Sequence, residues 1–452
     1  MNTHLTPPKN LLENPTIKWF LQSKWFPGII QWPTLMIFMV IMFQLLLGPE
    51  AAHDNLGTAL TWVLWWPLIP ILFLFLGRFW CAICPFATIN DMVQKIVGNN
   101  RPVPRFLRKY GIWIIDAMFI FITWSDHVWG VVENPVGSGI LMMTLTTGVV
   151  ASGAFFERRT FCRHLCFLGG LAGNYAQAGM VSLRATPQVC STCVTASCYK
   201  GTEKAPGCPL FEFPKTMTSS ANCVLCADCI KNCPNDSIQL TLHPPTQELW
   251  FVGKPKVEAA FLSAVIMGIV FVQNVTMLEV WGALLAKLEA FTGTTQYAIN
   301  FSITFFLAIL FPVSLLALAS WAAAKINRST FVDNFTRFGY AIIALDMAGH
   351  IAHNLFHLLA EGGAVVTTAM ALFGIDTHGA NTALVSMAAI QWMQFLLIAL
   401  GCFGSVFIVF QIARTYHKGK LVWGTFAPYA VLMIFLTFVN VLLFTLPMAM
   451  RM

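Results

Sequence analysis

The sequence predicts an all-α protein that crosses a membrane about nine times and carries one polar insert. The 452 residues are 57% hydrophobic and only 10% charged, a balance that soluble globular chains do not reach. Eight of the 13 cysteines are confined to residues 190–233, within the polar insert. Apolar stretches that are candidates for crossing a hydrocarbon core of about 30 Å lie near 31–48, 59–78, 111–125, 137–155, 257–278, 299–323, 337–361, 383–413 and 424–447.

The distribution of basic residues predicts how these spans are oriented. Under an alternating topology, only Lys287 and Arg451 lie on one side of the membrane. The other 25 of the 27 Lys and Arg residues lie in 1–30, 78–110, 156–256, 324–337 and 414–423. The basic side of a membrane protein is normally cytoplasmic. We therefore expect a multi-pass protein of the bacterial inner membrane, with the N-terminus and the insert in the cytoplasm and the C-terminus in the periplasm.

The same pattern divides the chain into four parts. Residues 1–30 contain aromatic side chains among lysines, which indicates an interfacial segment on the lipid bilayer. Residues 31–187 are expected to form a four-helix membrane domain, 188–250 the insert, and 251–452 a five-helix membrane domain. Topology accounts for the net charge of +7, so we expect no nucleic-acid partner.

The insert contains two runs of cysteines. The second run, Cys223-x2-Cys226-x2-Cys229-x3-Cys233-Pro234, has the spacing of bacterial two-cluster ferredoxins. A short loop supplies three thiolates to a [4Fe–4S] cubane, and the fourth thiolate comes from the other run. The spacing therefore predicts two quartets. The first ferredoxin quartet is Cys190, Cys193, Cys198 and Cys233, and the second ferredoxin quartet is Cys208, Cys223, Cys226 and Cys229.

The first run is looser than the ferredoxin pattern. Four residues separate Cys193 from Cys198, where two are usual, so the type of cluster in the first ferredoxin quartet is open. Structural zinc is the alternative for paired cysteines of this spacing.

Four more cysteines form an internal repeat outside the insert. The first copy, Arg78-Phe-Trp-Cys81-x2-Cys84-Pro85, follows the second apolar stretch, and the second copy, Arg159-Thr-Phe-Cys162-x3-Cys166, follows the fourth. Both helical hairpins start and end in the cytoplasm, which predicts parallel repeats about an axis normal to the membrane. We call Cys81, Cys84, Cys162 and Cys166 the repeat quartet. A further iron–sulfur cluster, redox thiols and apolar filling are the three interpretations.

These motifs resemble the membrane-bound polyferredoxins of the NapH/NosR type, which are accessory to periplasmic nitrate and nitrous-oxide reductases. They are also similar to the related copper-reducing assembly factors of cytochrome oxidase. The resemblance covers about 31–245. It implies electron transfer between the quinone pool, or a cytoplasmic donor, and a partner redox protein. Phe167 stands where the family usually has proline, and the five spans after residue 250 are outside the family pattern.

The seventh apolar stretch carries a polar stripe, which comprises Asp346, His350, His353, His357 and Glu361. Successive members are 4, 3, 4 and 4 residues apart, which places them within about 80° of one helix face. Such a stripe is costly against lipid. We therefore expect it to face the protein interior, a water-filled cavity or a cofactor in the outer half of the membrane.

Several ligands suit the stripe. Two histidines seven residues apart lie about 10 Å apart along a helix, so a haem b needs a second axial ligand from another segment: His53, His127 or His378. The alternatives are a copper, iron or zinc ion held by His350, His353 and His357, proton or quinone traffic, and a hydrogen-bonded polar face without a ligand. Candidates to line a quinone pocket are Gln273, Asn274, Gln391, Trp392 and Gln394.

We therefore predict a membrane-bound iron–sulfur electron-transfer protein, a subunit of an oxidoreductase within a larger complex. It would relay electrons between the quinone pool or a cytoplasmic donor and a membrane or periplasmic redox partner. The expected cofactors are two [4Fe–4S] clusters, with a third iron–sulfur cluster, haem b, copper and quinone as additional candidates. The alternative functions are metal reduction or handling, of copper for example, during assembly of a periplasmic metalloenzyme, and docking within a redox complex. A dinucleotide fingerprint is absent from the sequence, which argues against a self-contained NAD(P)H site.

Overall fold

A computed structural model of the chain describes residues 9–377 and 379–447. The two strands are β1 (Val181–Ala185) and β2 (Ile238–Leu242). The helices of the first half are α1 (Pro15–Gln22), α2 (Gly28–Leu47), α3 (Leu56–Thr58), α4 (Trp66–Leu76), α5 (Trp80–Ile83), α6 (Pro85–Val97), α7 (Arg105–Trp129), α8 (Pro135–Phe155), α9 (Thr160–His164), α10 (Phe167–Ala178), α11 (Pro187–Thr192), α12 (Ser197–Lys200) and α13 (Asp228–Asn232). A π-helical segment, Ala59–Trp65, joins α3 to α4, and short 3-10 turns cover Leu11–Glu13, Ala52–Asp54, Gly77–Phe79 and Gln247–Phe251.

The second half of the chain is helical and mostly apolar. Its helices are α14 (Val257–Thr276), α15 (Val280–Thr292), α16 (Tyr297–Asn327), α17 (Phe331–Gly339), α18 (Ile342–Ala360), α19 (Ala364–Ala371), α20 (Met387–Tyr416) and α21 (Lys420–Thr445).

Among the described residues, eight helical segments are long and apolar enough to cross a membrane, which indicates a multi-pass membrane protein. They are Gly28–Leu47, Leu56–Val97, Pro135–Phe155, Val257–Thr276, Tyr297–Asn327, Phe331–Ala360, Met387–Tyr416 and Lys420–Thr445. Each overlaps one of the nine predicted spans. The remaining span lies in α7, which is 25 residues long and carries Asp116. The number of crossings and the side on which each loop lies stay predictions.

The chain divides into two compact units. Unit 1 contains the segment ending at Val40 together with Ile71–Ile115 and Met142–Glu248. Unit 2 contains Ile41–Pro70, Asp116–Leu141 and the chain from Leu249 onward. Because this division follows contacts in space, it combines segments that are distant in sequence, and the four-part division of the sequence stays a prediction.

Unit 1 contains twelve of the thirteen cysteines and the only sheet of the described chain. Strands β1 and β2 pair in antiparallel register, with Leu183 opposite Leu240. Leu183 packs in a buried apolar cluster with Leu12 and Phe26 of the N-terminal segment and with Ile230 of α13. The cysteine-rich insert and the N-terminal segment therefore share one core.

Polar contacts also attach the N-terminal segment to unit 1. The Asn10 side chain accepts a hydrogen bond from the Leu240 N–H at 3.1 Å, and Lys18 forms an ion pair with Asp236. Trp19 and Trp25 remain exposed, at 71% and 68%. These exposed rings are compatible with a membrane-surface role for residues 1–30, which stays a prediction.

Unit 2 is built around α18, most of which is buried. Glycines allow neighbouring helices to approach closely. A β-carbon added at Gly401 of α20 would lie 2.4 Å from the β-carbon of Ala348, and one added at Gly268 of α14 would lie 2.4 Å from the Ala308 carbonyl oxygen of α16. Both helix pairs therefore pack at distances that only glycine permits.

Candidate iron–sulfur sites and the histidine stripe

Three cysteines of the second ferredoxin quartet lie on one sharply turning segment, which runs from the loop at Cys223 into the first turn of α13 at Cys229. Leu225 and Ala227 both adopt left-handed backbone conformations, with φ values of 55° and 64°. The chain therefore curls between Cys223, Cys226 and Cys229 instead of extending. Three thiols of a short segment are thus presented to the same region of unit 1.

Cys208 lies beside this loop. Burial raises the pKa of Cys223 to about 12 and raises the pKa of Cys226 and Cys229 well above the usual value. Repulsion by the Cys208 thiolate adds to the increase in pKa for all three. Buried thiolates are costly unless a metal or cation compensates them, so this arrangement suits four sulfurs bound to iron. The ligand assignment itself stays a prediction.

Burial and repulsion between neighbouring thiolates also raise a cysteine pKa in the first ferredoxin quartet. Burial raises the pKa of Cys198 to about 11, and repulsion by the thiolates of Cys233, Cys190 and Cys193 adds to this increase. The structure thus places Cys233 of the second run among the three cysteines of the first run. Cys193 is more open, and a hydrogen bond with Thr195 lowers its pKa.

The two cysteine runs share a local backbone geometry despite their different spacing. Ala196 and Ala227 are both left-handed, and each is followed by a short helix whose second residue is a cysteine, Cys198 in α12 and Cys229 in α13. The wider gap of the first run comes from two additional residues before Ala196. One of them, Val194, is 91% exposed. The additional residues therefore form an exposed bulge, and the third cysteine of each run occupies the same place in its turn.

Backbone N–H groups donate hydrogen bonds to the fourth cysteine of each run. The Glu212 N–H is 3.3 Å from Cys208 Sγ, and the Ser237 N–H is 3.2 Å from Cys233 Sγ. Each donor lies four residues after its cysteine. Such bonds stabilise the thiolate and are among the factors that tune iron–sulfur clusters. Both sulfurs are therefore held as cluster ligands would be.

The repeat quartet comes together at the ends of helices. Cys84 directly precedes α6, which begins with Pro85, and Cys166 directly precedes α10. Burial raises the pKa of Cys166 well above the usual value, and repulsion by the thiolates of Cys162, Cys84 and Cys81 adds to it. The four sulfurs are thus neighbours, which is the arrangement that parallel repeats predict.

An ion pair between a buried arginine and a half-buried aspartate joins the two repeats. Arg159 is 3% exposed, and its guanidinium donates to both carboxylate oxygens of Asp91 on α6 at 2.6 to 3.1 Å. It also donates to the Cys81 carbonyl oxygen at 3.1 Å. The Arg159 N–H donates to the Asn90 side chain at 3.1 Å. A residue of the second repeat therefore holds the cysteine-bearing turn of the first.

The equivalent arginine of the first repeat makes different contacts. Arg78 is 5% exposed, and its Nε donates to Cys81 Sγ at 3.4 Å. Its Nη1 donates to the Ala221 carbonyl oxygen at 2.7 Å, two residues before the loop of the second ferredoxin quartet. Arg78 thus contacts both a sulfur of the repeat quartet and the backbone that leads into the insert.

The second ferredoxin quartet is the neighbour of both other quartets within unit 1. Cys81 and Ala82 of the first repeat pack against Val224 and Cys226 in one apolar cluster. On the other side, the Cys198 thiolate of the first ferredoxin quartet is among the groups that, after burial, raise the pKa of Cys229. The order is therefore repeat quartet, second ferredoxin quartet, first ferredoxin quartet.

Within residues 9–377 and 379–447, no three His, Cys, Asp or Glu side chains are arranged as the ligands of one metal ion. The four cysteines of a cubane bind four different irons, so they surround a larger volume than the ligands of one ion do. Structural zinc at the ferredoxin quartets and a metal ion at the histidine stripe stay predictions.

Comparison with known families agrees with this chemistry. Two segments of the chain match a 4Fe-4S binding domain. The match covers residues 58–104 and 138–179, and these segments contain the two cysteine pairs of the repeat quartet. Its two parts also coincide with the two copies of the internal repeat. The chain therefore carries an iron–sulfur binding domain in a membrane protein. The narrower resemblance to polyferredoxins of the NapH/NosR type stays a prediction. Searches of curated proteins and of solved structures found no match.

The stripe on α18 is most deeply buried at its start and opens toward its end. Asp346 is fully buried, and neither of its carboxylate oxygens has a hydrogen-bond partner in the described structure. His350 and His353 are 3% and 8% exposed, whereas His357 and Glu361 are half-buried. The stripe therefore faces the interior of unit 2, as expected of polar groups in a membrane helix.

Hydrogen bonds orient the last two histidines. His353 Nδ1 lies 3.0 Å from Asn274 Oδ1 on α14, and the Asn274 amide group donates to the Val270 carbonyl oxygen at 2.8 Å. The amide oxygen therefore faces His353, so Nδ1 is the protonated nitrogen that donates. His357 Nδ1 lies 3.0 Å from Glu361 Oε2, and the two imidazole centroids are 5.4 Å apart.

A cavity of about 400 Å³ lies beside His353 within unit 2. Its lining is mostly apolar, and the side chains of Asn274, Gln391 and Gln394 supply amide groups. Gln391 and Gln394 each donate to a main-chain carbonyl oxygen, at 3.0 and 2.8 Å. Trp392, which was grouped with them in the sequence, is 76% exposed and is not among the lining residues.

The other histidines considered as haem ligands make local contacts. His127 Nδ1 lies 3.0 Å from the Thr123 carbonyl oxygen, and its ring stacks on Phe301 with centroids 5.0 Å apart. The His53 side chain is 80% exposed and lies 3.3 Å from Asp54. His378 lies outside the described residues. These contacts do not join His53 or His127 to the stripe, and a bis-histidine haem stays a prediction.

Sequence patterns alone did not single out the residues that join the two repeats. Asn90 is fully buried, and its amide donates to the Val149 carbonyl oxygen on α8 at 3.1 Å. Asp91 pairs with Arg159. One signal was available for the latter: Asp91 is the only acidic residue in the strongly basic segment 78–110.

Proposed function

We propose that the protein is a membrane-bound relay of single electrons that holds three [4Fe–4S] clusters, one at each cysteine quartet. The adjacency of the three quartets within unit 1 carries this proposal. In each step one cluster loses an electron and its neighbour gains it. The 4Fe-4S binding domain that matches both copies of the repeat supports iron–sulfur chemistry at the repeat quartet.

The first ferredoxin quartet is the end of the relay that is open to a protein partner. The bulge between Cys193 and Ala196 is exposed, whereas Cys226 and Cys229 of the neighbouring quartet are buried. An external donor or acceptor therefore reaches the first ferredoxin quartet more easily. Under the predicted topology this exchange takes place in the cytoplasm.

The exchanged pairing of the two runs gives a direct test of the ligand sets. Replacing Cys233 with Ser should abolish the cluster of the first ferredoxin quartet and spare the other, because Cys233 lies among the cysteines of the first run. Replacing Cys208 with Ser should have the reverse effect. Iron content and EPR spectra of the reduced variants distinguish the two outcomes. Loss of the cluster of its own run in each variant would contradict the exchanged assignment.

For the other end of the relay we propose that the cavity in unit 2 binds a lipid-soluble carrier of the quinone type. The cavity is apolar and contains a few buried polar groups, which is the usual composition of sites for such ligands. Since His353 donates through Nδ1, its Nε2 in the neutral imidazole is an acceptor that suits a ring hydroxyl. The amides of Gln391 and Gln394 offer further hydrogen bonds to the ring oxygens. Haem b and a metal ion held by His350, His353 and His357 are the alternatives for this unit.

Truncating the amides that line the cavity should weaken binding of a short-chain quinone analogue. Gln394→Leu should raise the Kd roughly tenfold, because a buried hydrogen bond contributes about 1 to 1.5 kcal/mol. Asn274→Leu should raise it similarly, because it removes the hydrogen bond that orients His353. Trp392→Leu on the exposed face of the same helix is the matched control and should leave the Kd unchanged. Equal affinity in all variants would exclude a quinone site here. A haem band in the reduced-minus-oxidised spectrum that disappears when His350 or His357 is replaced would exclude it as well.

A further inference from the structure

The repeat quartet differs from the two ferredoxin quartets in the charges around it. Arg78 is buried, and its charged Nε–H group donates to Cys81 Sγ at 3.4 Å. In the described part of the chain, the ion pairs of unit 1 do not include Arg78. The equivalent arginine of the second repeat, Arg159, is paired with Asp91. The positive charge of Arg78 is therefore not offset by a carboxylate.

The sulfurs of the two ferredoxin quartets receive hydrogen bonds from neutral groups. The Glu212 N–H donates to Cys208 Sγ, and the Ser237 N–H donates to Cys233 Sγ. Two cations near the second ferredoxin quartet are paired with carboxylates, Arg184 with Glu248 and Lys231 with Asp228.

These differences affect reduction potential in a definite direction. Adding an electron makes a cluster more negative, so a nearby unpaired cation and a charged N–H···S bond stabilise the reduced form. Burial strengthens the effect because the local dielectric constant is low. Carboxylates near a cluster stabilise its oxidised form for the same reason.

We propose that Arg78 raises the reduction potential of the cluster at the repeat quartet above those of both ferredoxin quartets. With clusters bound, electrons would then move from the first ferredoxin quartet through the second to the repeat quartet, and each transfer would oxidise one cluster by one electron and reduce the next. The inference rests on the proposed three-cluster relay and adds to it the direction of electron flow and the residue that determines it.

The test is an EPR-monitored redox titration of the anaerobically purified full chain. The signal of the repeat quartet is identified by its loss in a Cys162→Ser variant. In the wild-type chain that signal should have the highest potential of the three. Arg78→Met should shift its potential downward by more than it shifts the other two.

Two conservative variants separate charge from shape. Arg78→Lys keeps the positive charge and should keep most of the high potential, whereas Arg78→Gln keeps an N–H donor without the charge and should lower it. These variants also test the role of the charge if Arg78→Met fails to assemble the cluster. If Arg78 only supported the fold, every variant that assembles the cluster would have the same potential.

The results distinguish the inference from the proposed function. If the wild-type chain lacks a third cluster, the three-cluster relay is wrong. If the third cluster is present but its potential is not the highest, or does not fall in Arg78→Gln, the relay stands and the role of Arg78 is wrong.

Discussion

Replacing Arg159 with Met should lower the free energy of unfolding of unit 1 by about 2 kcal/mol. Hydrogen bonds between charged groups contribute about 1.5 to 3 kcal/mol, and the Asp91 carboxylate that is left unpaired is partly hydrated, because its side chain is 34% exposed. The substitution also removes the hydrogen bond to the Cys81 carbonyl oxygen. The denaturant concentration at which the iron–sulfur absorbance disappears measures the effect.

A surface ion pair provides the control for this variant. Lys18 pairs with Asp236, and the two side chains are 34% and 60% exposed. Exposed pairs contribute at most about 1 kcal/mol, so Lys18→Met should shift the midpoint far less than Arg159→Met. Equal shifts would mean that Arg159 does not join the two repeats in the way described.

Replacing any one cysteine of the repeat quartet with Ser should remove one entire cluster. Four cysteine thiolates hold a [4Fe–4S] cubane, one at each iron, so the four single variants should each lose roughly one third of the iron and the same EPR signal. The two ferredoxin-type signals should remain, because their ligands lie on other segments. Iron content measured together with EPR spectra of the reduced protein gives the result.

Cys402 offers a matched control. It lies in unit 2 on α20, apart from the quartets, so Cys402→Ser should retain all the iron. If Cys81 and Cys162 variants lost different signals, or if all four retained the full iron content, a shared cluster would be excluded.

The grouping of the cysteines could be predicted because it depends on spacing within short segments of the sequence. The spacing of Cys223, Cys226 and Cys229 indicates a loop around one cluster, and the structure curls that loop through left-handed residues. The repeat copies were equally visible from their matched arginines and cysteines. The cluster type of the first ferredoxin quartet was left open because four residues, instead of two, separate Cys193 from Cys198. The structure places the two additional residues in an exposed bulge that includes Val194.

Contacts between distant segments could not be predicted in the same way. Arg78 and Arg159 occupy equivalent positions in the repeat, yet one contacts a sulfur and the other a carboxylate. This asymmetry depends on Asp91, whose partner is 68 residues away in sequence. Local periodicity contains no information about such a pairing.

Helical periodicity predicted the polar face of the histidine stripe but not the contacts that this face makes. A spacing of three and four residues predicted one polar face, and the structure buries the first part of that face in unit 2. The hydrogen bond between His353 and Asn274 and the cavity beside them depend on how α14, α18, α20 and α21 pack together. That packing is a tertiary property, so the sequence alone did not decide between haem b, which ranked first, a metal ion, and proton or quinone traffic.

The central claim is that one chain holds three [4Fe–4S] clusters in series. The most direct measurement is the iron and acid-labile sulfide content of the anaerobically purified chain, combined with Mössbauer spectroscopy of the iron. Three cubanes predict about 12 iron atoms and 12 sulfides per chain, all in tetranuclear sites. About eight irons in two cubanes, with the four thiols of the repeat quartet free to react with an alkylating reagent, would contradict the account.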